Sequence, residues 1–186
     1  MGKLEPSSPD RPFSGPRLME SRMGKLELVM ETDKVSIYSP KYSGEAMTEF
    51  EFFLSNNKAL PQPQLKNDFD AIISTLNKMQ SDCGARENLF RLEVGRIKAI
   101  PLFIAQRTIK NLGTVRLYCI RLSNRLLIIG NGGVKLVRKY EEDTILSAIV
   151  DSLRRIEHKI FLKARSKHID YEDFDGIKHI IETLTI

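Results

Sequence analysis

The residues best suited to chemistry lie in the stretch 114–143, which is rich in arginine, lysine and tyrosine. Guanidinium groups bind phosphate in a bidentate manner, lysine supplies a point charge, and tyrosine can stack on bases. Cations of this kind could hold a phosphodiester and stabilise the charge that develops when a 2′-hydroxyl attacks it. Cleavage without a metal also needs a proton acceptor, and a cation-rich environment can lower the pKa of a lysine enough for that exchange. The candidates are Arg116, Tyr118, Arg121, Arg125, Lys135, Arg138, Lys139 and Tyr140.

The distribution of charge also points to this part of the chain. The net charge is +5, but residues 86–139 contain 12 Lys and Arg against 2 Asp and Glu, and the segments on either side are slightly acidic. A strongly basic middle suggests a face that meets a polyanion such as nucleic acid. The alternative is a solvated strand face whose arginines form ion pairs with the acidic flanks.

Other kinds of site find less support. The two cysteines, Cys83 and Cys119, form no CxxC pair, and the three histidines show no repeated ligand spacing, so we predict neither a metal site nor a cofactor. The stretch 130–133 (GNGG) could cradle a phosphate through its backbone amides, but it lacks the pattern of a nucleotide P-loop. We therefore interpret it as a break or bulge in a strand.

The composition predicts a soluble, cytoplasmic protein with one folded domain. No apolar run approaches the roughly 18–20 residues of a membrane span, and the N-terminus lacks the apolar stretch of a secretory signal. Residues 1–24 are predicted to be a disordered tail because they are rich in proline and serine. MGKLE occurs at 1–5 and again at 23–27, which indicates either a duplication or a second translation start at Met23. The domain is predicted to span 25–163, followed by a C-terminal extension, 164–186, with a short helix.

Hydrophobic periodicity predicts the elements that position the basic residues. The predicted strands are 26–30, 35–39, 90–94, 97–103, 115–122 and 126–129. One helix is predicted to begin at a Ser43 cap and continue to Leu54, and a second to continue from Leu65 to Met79 and stop at Gly84. Further helices follow Asp143 and cover about 172–183. The order gives an α+β fold: N-terminal strands, two helices, an antiparallel meander sheet and a C-terminal helix.

The run TVRLYCIRLSNRLLIIGNGGVKLVRKYEED (114–143), with the helix pair before it, resembles the RelE/ParE superfamily of toxins from bacterial type II toxin–antitoxin modules. It is most similar to the HigB-like, phage-derived branch. The resemblance implies a RelE-like fold over residues 34–160. It also implies that Arg116 and Arg138 hold the scissile phosphate, that Lys135 stabilises charge or exchanges a proton, and that Tyr140 is an acid/base or stacking group.

The remaining residues are expected to bind nucleic acid around that centre. The resemblance suggests that Arg96 and Lys98 hold substrate from the preceding strand. The hairpin itself adds Tyr118, Arg121, Arg125 and Lys139.

Three functions are consistent with the sequence. The first is a ribosome-dependent mRNA endonuclease that a cognate antitoxin neutralises. The second is a ParE-like protein that binds DNA gyrase and performs no RNA chemistry. The third is a non-toxic relative that binds nucleic acid or a partner protein through its basic face. An enzyme should lose activity when its proton-transfer groups are removed, whereas a binder should lose affinity in a graded, salt-dependent way.

Overall fold

The computed structural model describes residues 23–106, 108–109 and 112–186. The predicted tail, and with it the first copy of MGKLE, lies outside these residues except for its last two positions, and Gly24 already belongs to the first strand. The elements are β1 (Gly24–Glu31), β2 (Ser36–Tyr42), α1 (Glu49–Asn57), α2 (Pro63–Lys78), β3 (Arg91–Val94), β4 (Ile97–Ile100), β5 (Thr114–Arg121), β6 (Leu126–Lys135), α3 (Thr144–Ser166) and α4 (Phe174–Thr183).

The fold is α+β, built on one six-stranded mixed sheet in the order β1-β2-β6-β5-β4-β3. Strands β3 to β6 form the predicted antiparallel meander. The sheet as a whole is not antiparallel, because β2 pairs with β6 in parallel. The cause lies in the connection, since the chain leaves β2, passes through α1 and α2 to the far edge, and returns strand by strand until β6 lies beside β2.

Helices cover both faces of the sheet. One core joins α1 and α2 to a face of the sheet that includes Leu117 and Cys119, and the other joins α3 and α4 to the face that includes Tyr118 and Ile120. The alternation predicted for β5 is therefore confirmed. Among the described residues, no helix is both long enough and apolar enough to cross a membrane.

Three predicted boundaries were wrong. Helix α1 begins at Glu49 instead of near Ser43, because Thr48 forms a capping box with Glu51 and satisfies the free N–H groups of the first turn. Strand β4 ends at Ile100, since the next residue, Pro101, has no N–H to donate to a ladder. Strand β6 does not end at 129 but continues to 135.

The β5–β6 pair contains the bulge that the glycine-rich stretch suggested. Leu117 pairs with Gly132, and Cys119 pairs with Ile129, so β6 holds an extra residue opposite Tyr118. Strand β6 continues past this bulge because Gly132 leaves room for the backbone of β5. A Cβ atom on Gly132 would lie 1.9 Å from the carbonyl oxygen of Arg116. The glycines therefore permit a continuous but bulged strand.

A basic concavity at one end of the sheet

Four cationic side chains line a concavity of about 530 Å³. We call it the basic concavity. Arg91 lies at the start of β3, Arg116 in β5, Lys135 at the end of β6 and Arg138 in the loop that follows. Strand register brings them to one end of the sheet, because Arg91 pairs with Ala99 on β4 and the β5–β6 ladder places Thr114 opposite Lys135. The other lining residues are Ile104, Ile109, Leu112, Gly113, Thr114, Leu136 and Val137.

Arg116 is the most deeply placed of these cations. Arg116 is only 4% exposed, and its Nη1 donates a hydrogen bond to the carbonyl oxygen of Pro101. Burial lowers the pKa of Arg116, the like charge of Arg91 lowers it further, and the carboxylate of Glu93 opposes both effects. A buried guanidinium with one neutral acceptor has donors left for an anion, which arginine binds through two parallel N–H groups.

Lys135 is half-buried at the edge of the same concavity. Its pKa lies below the usual lysine value, chiefly because burial disfavours the ammonium form. Arg116 and Arg91 add repulsion, whereas Glu93 and Glu141 raise the pKa. Such a lysine exchanges a proton more readily at neutral pH than a surface lysine does.

The two tyrosines proposed from the sequence lie beside the concavity but do not line it. Tyr140 is 8% exposed and meets Tyr118 edge-on, with ring centroids 6.3 Å apart. Tyr118 is fully buried, and its hydroxyl has no hydrogen-bond partner among the described residues. Burial raises the pKa of both phenols, so both are poor proton acceptors in this structure.

Lys98 and Arg121 lie on the opposite face of the sheet and are engaged within the protein. Both bind Glu87, with Nζ of Lys98 at 2.7 Å and Nη1 of Arg121 at 2.9 Å from its oxygens. Arg121 Nε also donates to the carbonyl of Ala85 at 2.7 Å. Basic strand residues therefore form ion pairs, as in the alternative considered from the sequence, but the partner Glu87 belongs to the basic stretch 86–139 itself and not to the acidic flanks.

Arg96 and Arg125 lie at the other end of the sheet, in the hairpin turns. The guanidinium of Arg96 lies 4.3 Å from the centroid of the Tyr171 ring, and that of Arg125 lies 3.8 Å from the centroid of Phe174. Both rings belong to the C-terminal segment. Lys139 is exposed and directly follows Arg138.

The structure thus brings together Arg116, Lys135 and Arg138 of the predicted residues and adds two that sequence reasoning missed, Arg91 and Glu93. Their charge alone could not identify them, because the link depends on β3 pairing with β4 and on the conformation of β3. The available signal was a basic residue at the start of β3, an edge strand that β4 separates from the β5–β6 hairpin. Within the described parts of the chain, no cluster of three or more His, Cys, Asp or Glu could hold a metal ion.

Comparison of the chain with protein-family profiles, with curated proteins and with solved structures gives no match.

Proposed function

We propose that this chain is the toxin of a toxin–antitoxin module and acts as a ribosome-dependent mRNA endonuclease whose basic concavity binds the scissile phosphate. The main support is that Arg116, Lys135 and Arg138, to which the resemblance to RelE/ParE toxins assigns catalytic roles, line one concavity, although Arg116 lies in β5 and the other two at the end of β6 and just after it. The order of strand, two helices, meander and helix is also the order that the resemblance implies.

In this proposal the arginines and the lysine have different tasks. Arg116 and Arg138 hold the phosphate oxygens and stabilise the charge that develops as the 2′-oxygen attacks phosphorus and the 5′-oxygen leaves. Lys135 is the group that exchanges a proton, because its pKa is lowered and it lines the same space: its neutral form takes the proton of the 2′-hydroxyl, and the resulting ammonium form gives a proton to the departing 5′-oxygen. Tyr140 supports the site through its contact with Tyr118. A cognate antitoxin neutralises the toxin by covering the basic concavity.

The test is growth of bacteria after induction of the chain, with mRNA mapped for translation-dependent cuts. The site variant is Lys135→Ala with Arg138→Ala, since both side chains line the concavity and neither forms a hydrogen bond or ion pair within the described residues. Lys163→Ala with Arg165→Ala is the matched control, because it removes one lysine and one arginine that are exposed in α3 and lie outside the concavity. We expect growth arrest and cuts from the wild type and the control, and neither from the site variant. Cuts that persist in the site variant would contradict the proposal.

A second candidate is a non-catalytic protein of the same fold that binds DNA gyrase, nucleic acid or a partner protein. It is favoured by the composition of the lining, in which three of the four cations are arginines that do not exchange protons at neutral pH. Growth arrest without mRNA cuts would favour the gyrase-binding form. Absence of arrest, with graded and salt-dependent binding of nucleic acid, would favour a binding module.

A further inference from the structure

Glu93 is a carboxylate placed beside a cluster of cations by an irregularity in β3. Leu92 pairs with Lys98 and Val94 pairs with Ile97, so Glu93 is the extra residue of a bulge. Bulges change the direction of a side chain and are frequent beside functional sites. The bulge places the carboxylate beside Arg91, which lines the basic concavity, and the same carboxylate raises the pKa of Arg116 and of Lys135.

The contacts of Glu93 are unusual for a buried acid. Its side chain is only 9% exposed, and Oε1 lies 3.6 Å from Nε of Arg91. That oxygen is buried and accepts no hydrogen bond from any residue that the structure describes. Burial of a carboxylate oxygen without a hydrogen bond is costly unless nearby cations compensate for it. The compensating charges here are those of the basic concavity.

Several charged groups act on Lys135 from the elements around it. Strand β3 contributes Arg91 and Glu93, strand β5 contributes Arg116, and the turn before α3 contributes Glu141. Arg138 lines the same concavity from the loop after β6. Of the two acids, Glu93 raises the pKa of Lys135 more than Glu141 does.

We propose that Glu93 is a positioning residue of the basic concavity, which holds Arg91 in place and keeps Lys135 protonated among three arginines. The inference rests on the proposed phosphate-binding role of the concavity. Without the carboxylate, Glu141 alone among the described acids around Lys135 would oppose the arginines, and the ammonium group would lose its proton at a lower pH. The same carboxylate repels an incoming anion. Glu93 therefore lowers the affinity of the concavity for anions, and it keeps the concavity positively charged over a wider pH range.

The test uses Glu93→Gln, which keeps the shape of the side chain and removes its charge. Glu142→Gln is the matched control, because Glu142 is an exposed acid in the turn before α3. The lysine side chains of the full chain are labelled with ¹³C, and their NMR signals are followed over a pH titration. The Lys135 signal is identified as the one that is missing from the spectrum of Lys135→Ala. Sulfate serves as the anion probe, since its charge does not change over the range used.

We expect the titration midpoint of Lys135 to fall by roughly one pH unit in Glu93→Gln and to stay at the wild-type value in Glu142→Gln. At a pH where Lys135 is protonated in all variants, sulfate should bind several-fold more tightly to Glu93→Gln than to the wild type. If Glu93 had a purely structural role, Glu93→Gln would bind sulfate more weakly and would not lower the titration midpoint of Lys135. Glu93→Asp, which keeps the charge, should restore the midpoint, and it tests the inference if Glu93→Gln does not fold.

An unchanged midpoint in folded Glu93→Gln would overturn the inference, as would weaker sulfate binding. Loss of mRNA cleavage without a change in the midpoint would also overturn it, because Glu93 would then accept a proton itself. These outcomes are separate from failure of the proposed function, which is decided by cleavage in the Lys135→Ala/Arg138→Ala variant.

Discussion

Two buried cations, Lys98 and Arg116, differ in how their charge is compensated. Lys98 is 9% exposed and forms an ion pair with Glu87, which Arg121 also binds. Arg116 is 4% exposed and donates to a neutral carbonyl, and the nearby charges include Arg91 as well as Glu93. A buried charge with a full partner is destabilised when that partner is removed, whereas a buried guanidinium without a full partner has N–H donors left for a ligand. At the scale of single residues, this contrast separates the candidate site from the other basic residues.

Glu87→Gln should destabilise the protein by roughly 2 kcal/mol at neutral pH, because Lys98 would keep a largely buried charge without its carboxylate partner. The figure is below the range for fully buried pairs because the Glu87 side chain is 64% exposed. The pair with Lys98, and then the charge of Arg121, lower the pKa of Glu87 in the folded state. Its contribution is therefore present above the unfolded pKa of about 4.5 and is lost as the pH falls through the lower folded value.

Urea denaturation of wild type and Glu87→Gln between pH 3 and pH 7 measures both effects. We expect the two stability curves to be separated at pH 7 and to converge as the pH falls. A constant separation down to the most acidic pH would show that the charge of Glu87 is not responsible.

Tyr118→Phe and Tyr38→Phe form a second, matched pair of substitutions. The hydroxyl of Tyr38 donates a hydrogen bond to Glu182 at 2.8 Å, whereas that of Tyr118 is buried without a partner among the described residues. Removing the Tyr38 hydroxyl should lower the free energy of unfolding by about 1–2 kcal/mol. Removing the Tyr118 hydroxyl should leave it unchanged or raise it by up to about 1 kcal/mol. The free energy of unfolding in urea is the measurement. Equal losses for both would mean that the Tyr118 hydroxyl has a partner.

The β5–β6 pair shows how an element decides which residues share a site. Strict alternation from Leu127, whose side chain packs toward α1 and α2, would place residue 135 on that same face. The bulge inserts one residue, so that Val134 packs toward the two helices and Lys135 faces the other side, with Arg116. A shift of one residue reverses every side chain beyond it. The basic concavity therefore depends on the bulge.

Gly132→Ala should destabilise the protein by about 3 kcal/mol, because its Cβ would meet the backbone carbonyl of Arg116 at 1.9 Å. Gly133→Ala is the control, since a Cβ there meets nothing within 4 Å, and it should change stability by less than about 0.5 kcal/mol. Thermal unfolding of both variants measures the difference. If Gly132→Ala were as stable as Gly133→Ala, the close approach of β5 and β6 at the bulge would be wrong.

The C-terminal segment shows what holds the whole molecule together. Helix α4 buries Ile177, Ile180 and Ile181 completely against the sheet and α3. The last residue, Ile186, exchanges backbone hydrogen bonds of 2.9 Å with Gly24, at the first position of β1. The segment that the sequence analysis described as an extension of the domain therefore completes one of its two cores and ties the end of the chain to the edge strand.

A chain that ends at Lys167 should lose cooperative unfolding, because removal of α4 exposes the apolar face that it covers, at a cost of several kcal/mol. Circular dichroism during thermal unfolding, together with binding of a hydrophobic dye, provides the measurement. A truncated chain with the same sharp transition as the full chain would show that residues 25–163 fold alone, as the sequence analysis predicted. Ile180→Ala in the full chain, expected to cost about 3 kcal/mol, checks the packing without removing the segment.

The sequence by itself determined the number and order of the strands and helices and the two faces of β5. Periodicity is a local property, and Leu117 and Cys119 alternate with Tyr118 and Ile120 in a pattern that one strand is enough to reveal. Glycine and proline also act locally: α2 itself ends at Lys78, but a short π-helix, Met79–Cys83, continues the helical stretch up to Gly84, whose positive φ made this stop predictable. The Ser43 cap failed because Thr48 offered a better capping box one turn later.

Only the tertiary structure decided which basic residues meet. Arg116 and Lys135 share a site with Arg91 because of a bulge and of pairing between strands that are distant in sequence, whereas Arg96 and Arg125 lie under aromatic rings of the C-terminal segment. The charge and type of each residue can be read directly from the sequence. Whether that charge is compensated depends on neighbouring side chains, which strand pairing brings in from distant parts of the chain. The chain thus specified its elements through local patterns, and its candidate site arose from register, bulges and burial.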